Sequence, residues 1–141
     1  MFEDIKVRDW MTEEVVTAAP DTPIAAAHQI MKKNNVRRLP VVEDDTVIGV
    51  ITIGDVREAS PSDATTLSIW ELNYLWAQLT VDKVMTKRIL TTTPDSSIYE
   101  VAKIMLESKV SGLPVVGPNN KLMGIITESD IFKMIVKQHT E

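Results

Sequence analysis

The chain repeats itself. Val7-Arg8-Asp9-Trp10-Met11-Thr12 returns 74 residues later as Val81-Asp82-Lys83-Val84-Met85-Thr86. At the same offset Thr17, Pro20, Asp21, Ile24, Ile30, Met31 and Val36 meet Thr91, Pro94, Asp95, Ile98, Ile104, Met105 and Val110, and Leu39-Pro40-Val41-Val42 meets Leu113-Pro114-Val115-Val116. One inserted residue in the second copy then moves the offset to 75, so that Gly49, Thr52 and Asp55 meet Gly124, Thr127 and Asp130. A chain doubled in register is expected to fold as two copies of one supersecondary unit whose halves bury each other's apolar faces.

Each copy has the same local pattern. Val15-Val16-Thr17 predicts a short strand. Thr22-Pro23 predicts a helix start, with the hydroxyl as N-cap and proline at the first helical position. Ile24, Ala27 and Met31 follow at helical spacing, and the helix is expected to end near Asn34-Asn35. Leu39–Glu43 and Val47–Thr52 alternate as strands around an Asp44-Asp45 turn, which predicts a hairpin. A short helix follows Thr52. In the second copy Ile98, Val101 and Met105 mark the helix and Pro118-Asn119-Asn120 the turn. The expectation is an α/β (α+β) fold of two tandem β-α-β-β-α units, with residues 1–59 as the first, 60–80 as a linker and 81–141 as the second.

The linker has no counterpart in the repeat. Ser60-Pro61-Ser62-Asp63 is a loop, and Ser68-x-x-Glu71 has capping-box spacing, predicting an extra helix near 68–79. Ile69, Leu72, Trp76 and Leu79, with Leu75 beside them, form the stripe expected to face the core. Trp70 and Tyr74 fall on another face, which suits either a second partner surface or packing on the chain's own domain.

Charge and composition exclude several classes. A net charge of −5 argues against a broad grip on nucleic acid, which needs a basic face. Without cysteine there is neither a disulfide framework nor a thiolate metal site. No apolar run approaches the ~18 residues of a membrane helix, and the acidic start is unlike a secretory signal, so a cytoplasmic protein is expected. His28 and His139 have no partner at metal-ligand spacing, and Asp44-Asp45 lacks the rest of a calcium loop. No nucleophile–base set, P-loop or zinc-protease motif is present, so no catalytic residue and no metal site are expected.

The ordered set Leu39-Pro40-Val41-Val42 with Gly49-Val50-Ile51-Thr52-Ile53-Gly54-Asp55, repeated as Leu113-Pro114-Val115-Val116 with Gly124-Ile125-Ile126-Thr127-Glu128-Ser129-Asp130, resembles a pair of CBS domains. The Met11-Thr12 and Met85-Thr86 openings fit the same family, and the resemblance covers nearly the whole chain outside residues 60–80. The insert is similar to that of short CBS-pair proteins of the acetoin-utilisation type. The resemblance implies a Bateman module with a pseudo-two-fold axis and two clefts that take AMP, ADP, ATP or a related adenosyl ligand such as S-adenosylmethionine. It also implies stacking of two modules, hence a homodimer, and regulation of a partner protein whose identity the sequence does not reveal.

Site residues follow from that resemblance. Cleft 1 is expected to use Val36, Arg37, Arg38, Leu39, Pro40, Ile51, Thr52, Asp55 and Arg57, together with Thr93 from the opposite copy. Cleft 2 is expected to use Val110, Ser111, Gly112, Leu113, Pro114, Ile126, Thr127 and Asp130, together with Thr17 and Ala19. A carboxylate offers only acceptors, so Asp55 and Asp130 suit a ribose diol that donates twice. Main-chain groups at Val36–Pro40 would meet the adenine edge, and a guanidinium at Arg37, Arg38 or Arg57 would match phosphate. T-x-x-D ahead of a helix is also the spacing of a capping box, although that box prefers the longer Glu. The two readings compete, and the duplicated context favours ligand binding. Ser111-Gly112 carries no charge where Arg37-Arg38 does, so the clefts are expected to differ, with cleft 1 the tighter for a phosphorylated ligand. A ligand-free interaction scaffold is the rival reading.

Overall fold

The computed structural model describes residues 2–59 and 69–140, with the side chains at 69, 70, 72, 73 and 140 left aside. The centre of each copy is an antiparallel hairpin: β1 (Arg38–Glu43) with β2 (Thr46–Thr52), and β3 (Gly112–Val116) with β4 (Leu122–Thr127). Along β2, Val47, Gly49 and Ile51 are buried and their neighbours are not, the period-2 pattern of a strand with one wet face. Asp44 and Asp45 turn the first hairpin with φ of 52° and 66°. A two-residue hairpin turn needs positive φ at both positions, which Asp and Asn tolerate best among residues other than glycine. In the second hairpin the longer turn is made by Pro118–Asn120, with Asn119 and Asn120 at 60° and 59°.

The strand expected at Val15–Thr17 is reduced to a single parallel bridge one residue on. Ala18 N–H donates to the Pro40 carbonyl at 3.0 Å, and Val42 N–H donates to the Ala18 carbonyl at 2.9 Å. Thr92 makes the same bridge to Val115 in the second copy.

Helix α1 (Ile24–Asn34) begins one residue later than expected. Pro23 is its N-cap, and the Thr22 hydroxyl instead accepts from Ala19 N–H within the preceding turn. The first helical donor, Ile24 N–H, is taken by the Leu79 carbonyl at 3.1 Å, a long-range substitute for a side-chain cap. Its counterpart α5 (Ile98–Ser108) is capped locally, with Ser97 Oγ accepting from Glu100 N–H. Both helices stop at a left-handed residue, Asn35 and Lys109. Helix α2 (Ile53–Ala59) follows β2 directly. Beyond it come α3 (Ile69–Gln78), α4 (Val81–Val84) and, after β4, α6 (Glu128–Thr140). The expected linker helix is α3. Trp76 and Leu79 pack on the neighbouring core, whereas Leu75 and Tyr74 are exposed. The proposed Ser68 cap and the Trp70 side chain lie outside the described residues.

The compact units are not the two sequence copies. One unit joins Met1–Val15 to Leu90–Glu141, and the other is Val16–Ile89. Each copy's hairpin therefore keeps the opening segment of the other copy. The first unit has its own core of Val7, Ile98, Val101, Met105, Leu113, Val115, Ile126 and Met134. The second has Ile24, Ala27, Met31, Leu39, Val41, Ile51, Val56 and Val81. Val7 and Val81 are the same repeat position and both are fully buried. Each such side chain contributes about 1.5–3 kcal/mol.

The exchanged segments attach at one glycine per hairpin. Thr12 trades two main-chain hydrogen bonds with Ile125, at 2.8 and 2.9 Å, and Thr86 does the same with Val50, at 2.9 and 3.0 Å. The neighbouring glycines let the chains approach. A Cβ at Gly124 would sit 2.8 Å from the Thr12 carbonyl oxygen, and one at Gly49 would sit 3.0 Å from that of Thr86 and 2.6 Å from Met85 Sδ. Backbone cannot yield as a side-chain tip can. Gly124→Ala is therefore expected to destabilise the fold by about 1–3 kcal/mol, read as a lower urea midpoint. An unchanged midpoint would mean that the opening segment is not held there.

Candidate functional site

The junction between hairpin and following helix gathers most of the expected site residues. In the Val16–Ile89 unit, Arg38 is paired in register with Thr52, and Ile53 N–H donates to the Arg37 carbonyl at 2.8 Å. That ladder sets Arg37 and Arg38 beside Thr52 and the first turn of α2, where Asp55 stands. In the other unit Gly112 is paired with Thr127, and Glu128 N–H donates to the Ser111 carbonyl at 3.0 Å. The backbone frame is the same, but the guanidinium pair is replaced by a hydroxymethyl and a hydrogen.

In both T-x-x-D sequences the aspartate accepts from the threonine's own N–H. Thr52 N–H donates to Asp55 Oδ2 at 2.9 Å, and Asp55 N–H donates to Thr52 Oγ1 at 3.1 Å, a reciprocal box. Asp, though shorter than Glu, therefore suffices for the cap. Asp55 is half-buried, and its Oδ1 accepts no hydrogen bond among the described residues. Capping thus uses one carboxylate oxygen and leaves the other.

At Asp130 the arrangement is more closed. Thr127 N–H donates to Oδ2 at 2.9 Å and the Thr127 hydroxyl donates to the same oxygen at 3.2 Å. Thr12, on the exchanged opening segment, donates its hydroxyl to Oδ1 at 3.2 Å. Asp130 is only 7% exposed. From the sequence Thr12 is legible as part of the repeat's opening but not as a contact of this carboxylate. The signal that could have found it is the pairing of that opening with the opposite copy's hairpin.

The remaining expected residues divide by burial. Leu39, Ile51, Leu113 and Ile126 are at most 1% exposed and fill the cores, so their side chains cannot meet a ligand and only their main chain could. Pro40 and Pro114 are also buried, and their carbonyls already accept from Ala18 and Thr92. Arg37, Arg57 and Val36 are exposed and Val110 is half-buried. Thr93 is exposed, with its hydroxyl bonded to Ser96 Oγ, and lies in the unit opposite to that of Asp55. Thr17 and Ala19 likewise lie in the unit opposite to that of Asp130. Among the described residues no cluster of His, Cys, Asp or Glu could hold a metal ion, and no helix is long and apolar enough to cross a membrane.

A doubled strand-helix-hairpin-helix unit with one carboxylate at each hairpin-to-helix junction defines a tandem α+β module. The CBS domain family model matches residues 7–62 and 81–137, and the chain belongs to that family. Solved structures of similar fold include CBSX2 of Arabidopsis thaliana in complex with AMP, 26% identical, covering 96% of this chain and 98% of that one, TM-score 0.80. The CBS domain pair of protein MJ0100 in complex with 5′-methylthioadenosine and S-adenosyl-L-methionine is 27% identical, covering 94% and 97%, TM-score 0.77. A protein from Vibrio cholerae described as a possible acetoin utilization protein, AcuB, is 26% identical, covering 96% and 93%, TM-score 0.80. The chain spans only part of the curated relatives it matches: 25%, 46% and 47% of the first three, the first of them named as homoserine O-acetyltransferase from Methanosalsum zhilinae, 38% identical over 135 residues.

The two carboxylates should differ in what they contribute to folding. Asp55→Ala removes one cap, worth about 1 kcal/mol. Asp130→Ala leaves a backbone donor and two hydroxyls without their acceptor and should cost roughly 2–3 kcal/mol. Equilibrium urea unfolding of both variants checks this order, and equal losses would contradict the closed geometry at Asp130.

Proposed function

We propose that this chain is a regulatory module that binds an adenosine nucleotide, AMP, ADP or ATP, and catalyses nothing itself. The observation that carries the reading is Asp55: a half-buried carboxylate with one oxygen used for capping and the other without a partner among the described residues, at a junction where the backbone of Arg37 and Arg38 runs beside Thr52 and Ile53. A vicinal diol needs an acceptor of that kind, and a phosphate suits a guanidinium such as that of Arg37. The AMP complex of CBSX2 supports the ligand class. Main-chain groups within Val36–Pro40 meet adenine, and Arg37 reaches phosphate. Asp130, with Thr127 and the uncharged Ser111-Gly112, takes the second, weaker ligand. The bound state is read by a partner protein in the cytoplasm.

A second reading is favoured by the MJ0100 complex, in which the ligands are phosphate-free adenosyl compounds. Arg37 discriminates between the two. A ligand that binds only the folded chain adds about 2.7 kcal/mol at a hundredfold excess over Kd, enough to raise the Tm by several degrees. AMP and adenosine should both raise it, and 2′-deoxyadenosine nucleotides should raise it less. Arg37→Ala should weaken AMP roughly tenfold in calorimetry, the loss of one charged hydrogen bond, and leave adenosine nearly unchanged. If AMP is unaffected and S-adenosylmethionine binds more tightly than AMP, the second reading holds. If neither class of ligand shifts the Tm, the chain is an interaction scaffold.

We also propose that the chain is a homodimer. Helix α6 exposes Phe132, Ile135 and Val136 at i, i+3 and i+4, with Phe132 at 60% and Val136 at 63%, an apolar stripe that water does not favour. Light scattering should give twice the chain mass at tens of micromolar, and Phe132→Asp should shift the population toward monomer. A strict monomer before substitution would remove the proposal.

A further inference from the structure

Thr12 and Thr86 are the same position of the repeat and have the same backbone seat, each paired with the edge of the hairpin it joins. Their side chains do different things. Thr12 Oγ1 donates to Asp130 Oδ1 at 3.2 Å, whereas among the described residues neither Thr86 Oγ1 nor Asp55 Oδ1 has a hydrogen-bond partner. The capping threonines differ as well. Thr52 Oγ1 accepts from Asp55 N–H, while Thr127 Oγ1 donates to Asp130 Oδ2. Among the described residues, three donors therefore converge on Asp130 and one on Asp55.

Resting on the ribose reading above, we propose that Thr12 is an internal substitute for a ribose hydroxyl, holding Asp130 in a self-satisfied form that a nucleoside must open. A carboxylate has about four lone-pair positions. At Asp130 three are used, and the residue is 93% withdrawn from solvent, being 7% exposed. A diol that donates twice cannot be accommodated until Thr12 Oγ1 leaves. Thr12 itself is exposed, so its hydroxyl can turn to water without repacking a core. Among the described residues Asp55 has no such competitor. The two halves of a duplicated module thereby acquire an order of occupancy, Asp55 first and Asp130 second, from one hydroxyl that is bonded to the carboxylate in one copy and, among the described residues, not in the other. Thr12 is a specificity-determining residue through its competition for the carboxylate, not through contact with the ligand.

The test uses adenosine, which lacks phosphate and so leaves Arg37 out of the comparison. Each aspartate is isolated by removing the other. In the Asp55→Ala protein, calorimetry reads the Asp130 site alone, and adding Thr12→Val should tighten adenosine about tenfold, the lower end of what one hydrogen bond to a charge contributes. Thr12→Ser, which keeps the hydroxyl, should leave the weak affinity unchanged. In the Asp130→Ala protein, Thr86→Val should leave the affinity at Asp55 unchanged. Valine matches threonine in shape, and circular dichroism verifies that each variant is folded. If Thr12→Val leaves adenosine binding at Asp130 unchanged, weaker or undetectable while ribose-dependent binding at Asp55 persists, the competition is disproved and the nucleotide reading stands. If the unsubstituted protein binds no adenosine, or binds 2′-deoxyadenosine equally well, the ribose reading falls and this proposal falls with it.

Discussion

The structure depends on a pair of main-chain hydrogen bonds made twice: Thr12 with Ile125, and Thr86 with Val50. Each pair adds the opening of one copy to the hairpin edge of the other. An edge strand left bare presents unpaired donors and acceptors, and here the protein covers both edges with segments distant in sequence. The cost of closing those long loops grows only slowly with length. The gain is a buried valine in each core, Val7 in one and Val81 in the other. Gly49 and Gly124 make the approach sterically possible, which gives a physical reason for glycine in a strand interior, where it otherwise weakens the strand.

The same frame sets the chemistry of the site. The ladder carries Arg38 alongside Thr52 in one copy and Gly112 alongside Thr127 in the other, so each threonine and its aspartate share one short stretch of backbone with a different neighbour. In the proposed reading, capping and ligand recognition draw on the same carboxylate. At Asp55 the two uses are compatible, since one oxygen serves the helix and the other does not. At Asp130 the cap, the neighbouring hydroxyl and the exchanged segment together take up the group. The same capping position thus keeps a carboxylate oxygen open in one copy, among the described residues, and is a closed structural node in the other.

Local differences between the copies also show how a repeat drifts without losing its fold. The start of α5 is capped by Ser97, a short-range side-chain contact, whereas α1 begins with proline and borrows the Leu79 carbonyl. The hairpin turns use Asp44-Asp45 in one case and the longer Pro118–Asn120 in the other, both meeting the same demand for left-handed backbone. These substitutions keep the frame and change what surrounds it.

The sequence by itself determined the repeat, the hairpins, the helices and the aspartates, because each is written in local terms: alternation of apolar residues, helical spacing, turn residues with positive φ, and T-x-x-D ahead of a helix. The burial of Met31 and Met105 was legible for the same reason. Only the tertiary structure decided which opening segment each hairpin keeps, because an edge pairing between residues more than a hundred positions apart, such as Thr12 and Ile125, leaves no periodic trace. The placement of Leu39, Ile51, Leu113 and Ile126 in the cores was likewise a matter of strand facing: a residue next to a site in sequence points to the opposite side of a pleated strand. Thr22 could not be recognised as a turn acceptor, since its spacing is equally that of a cap. The contact of Thr12 with Asp130 follows from the exchange of segments, a contest between distant parts of one chain that local pattern does not record.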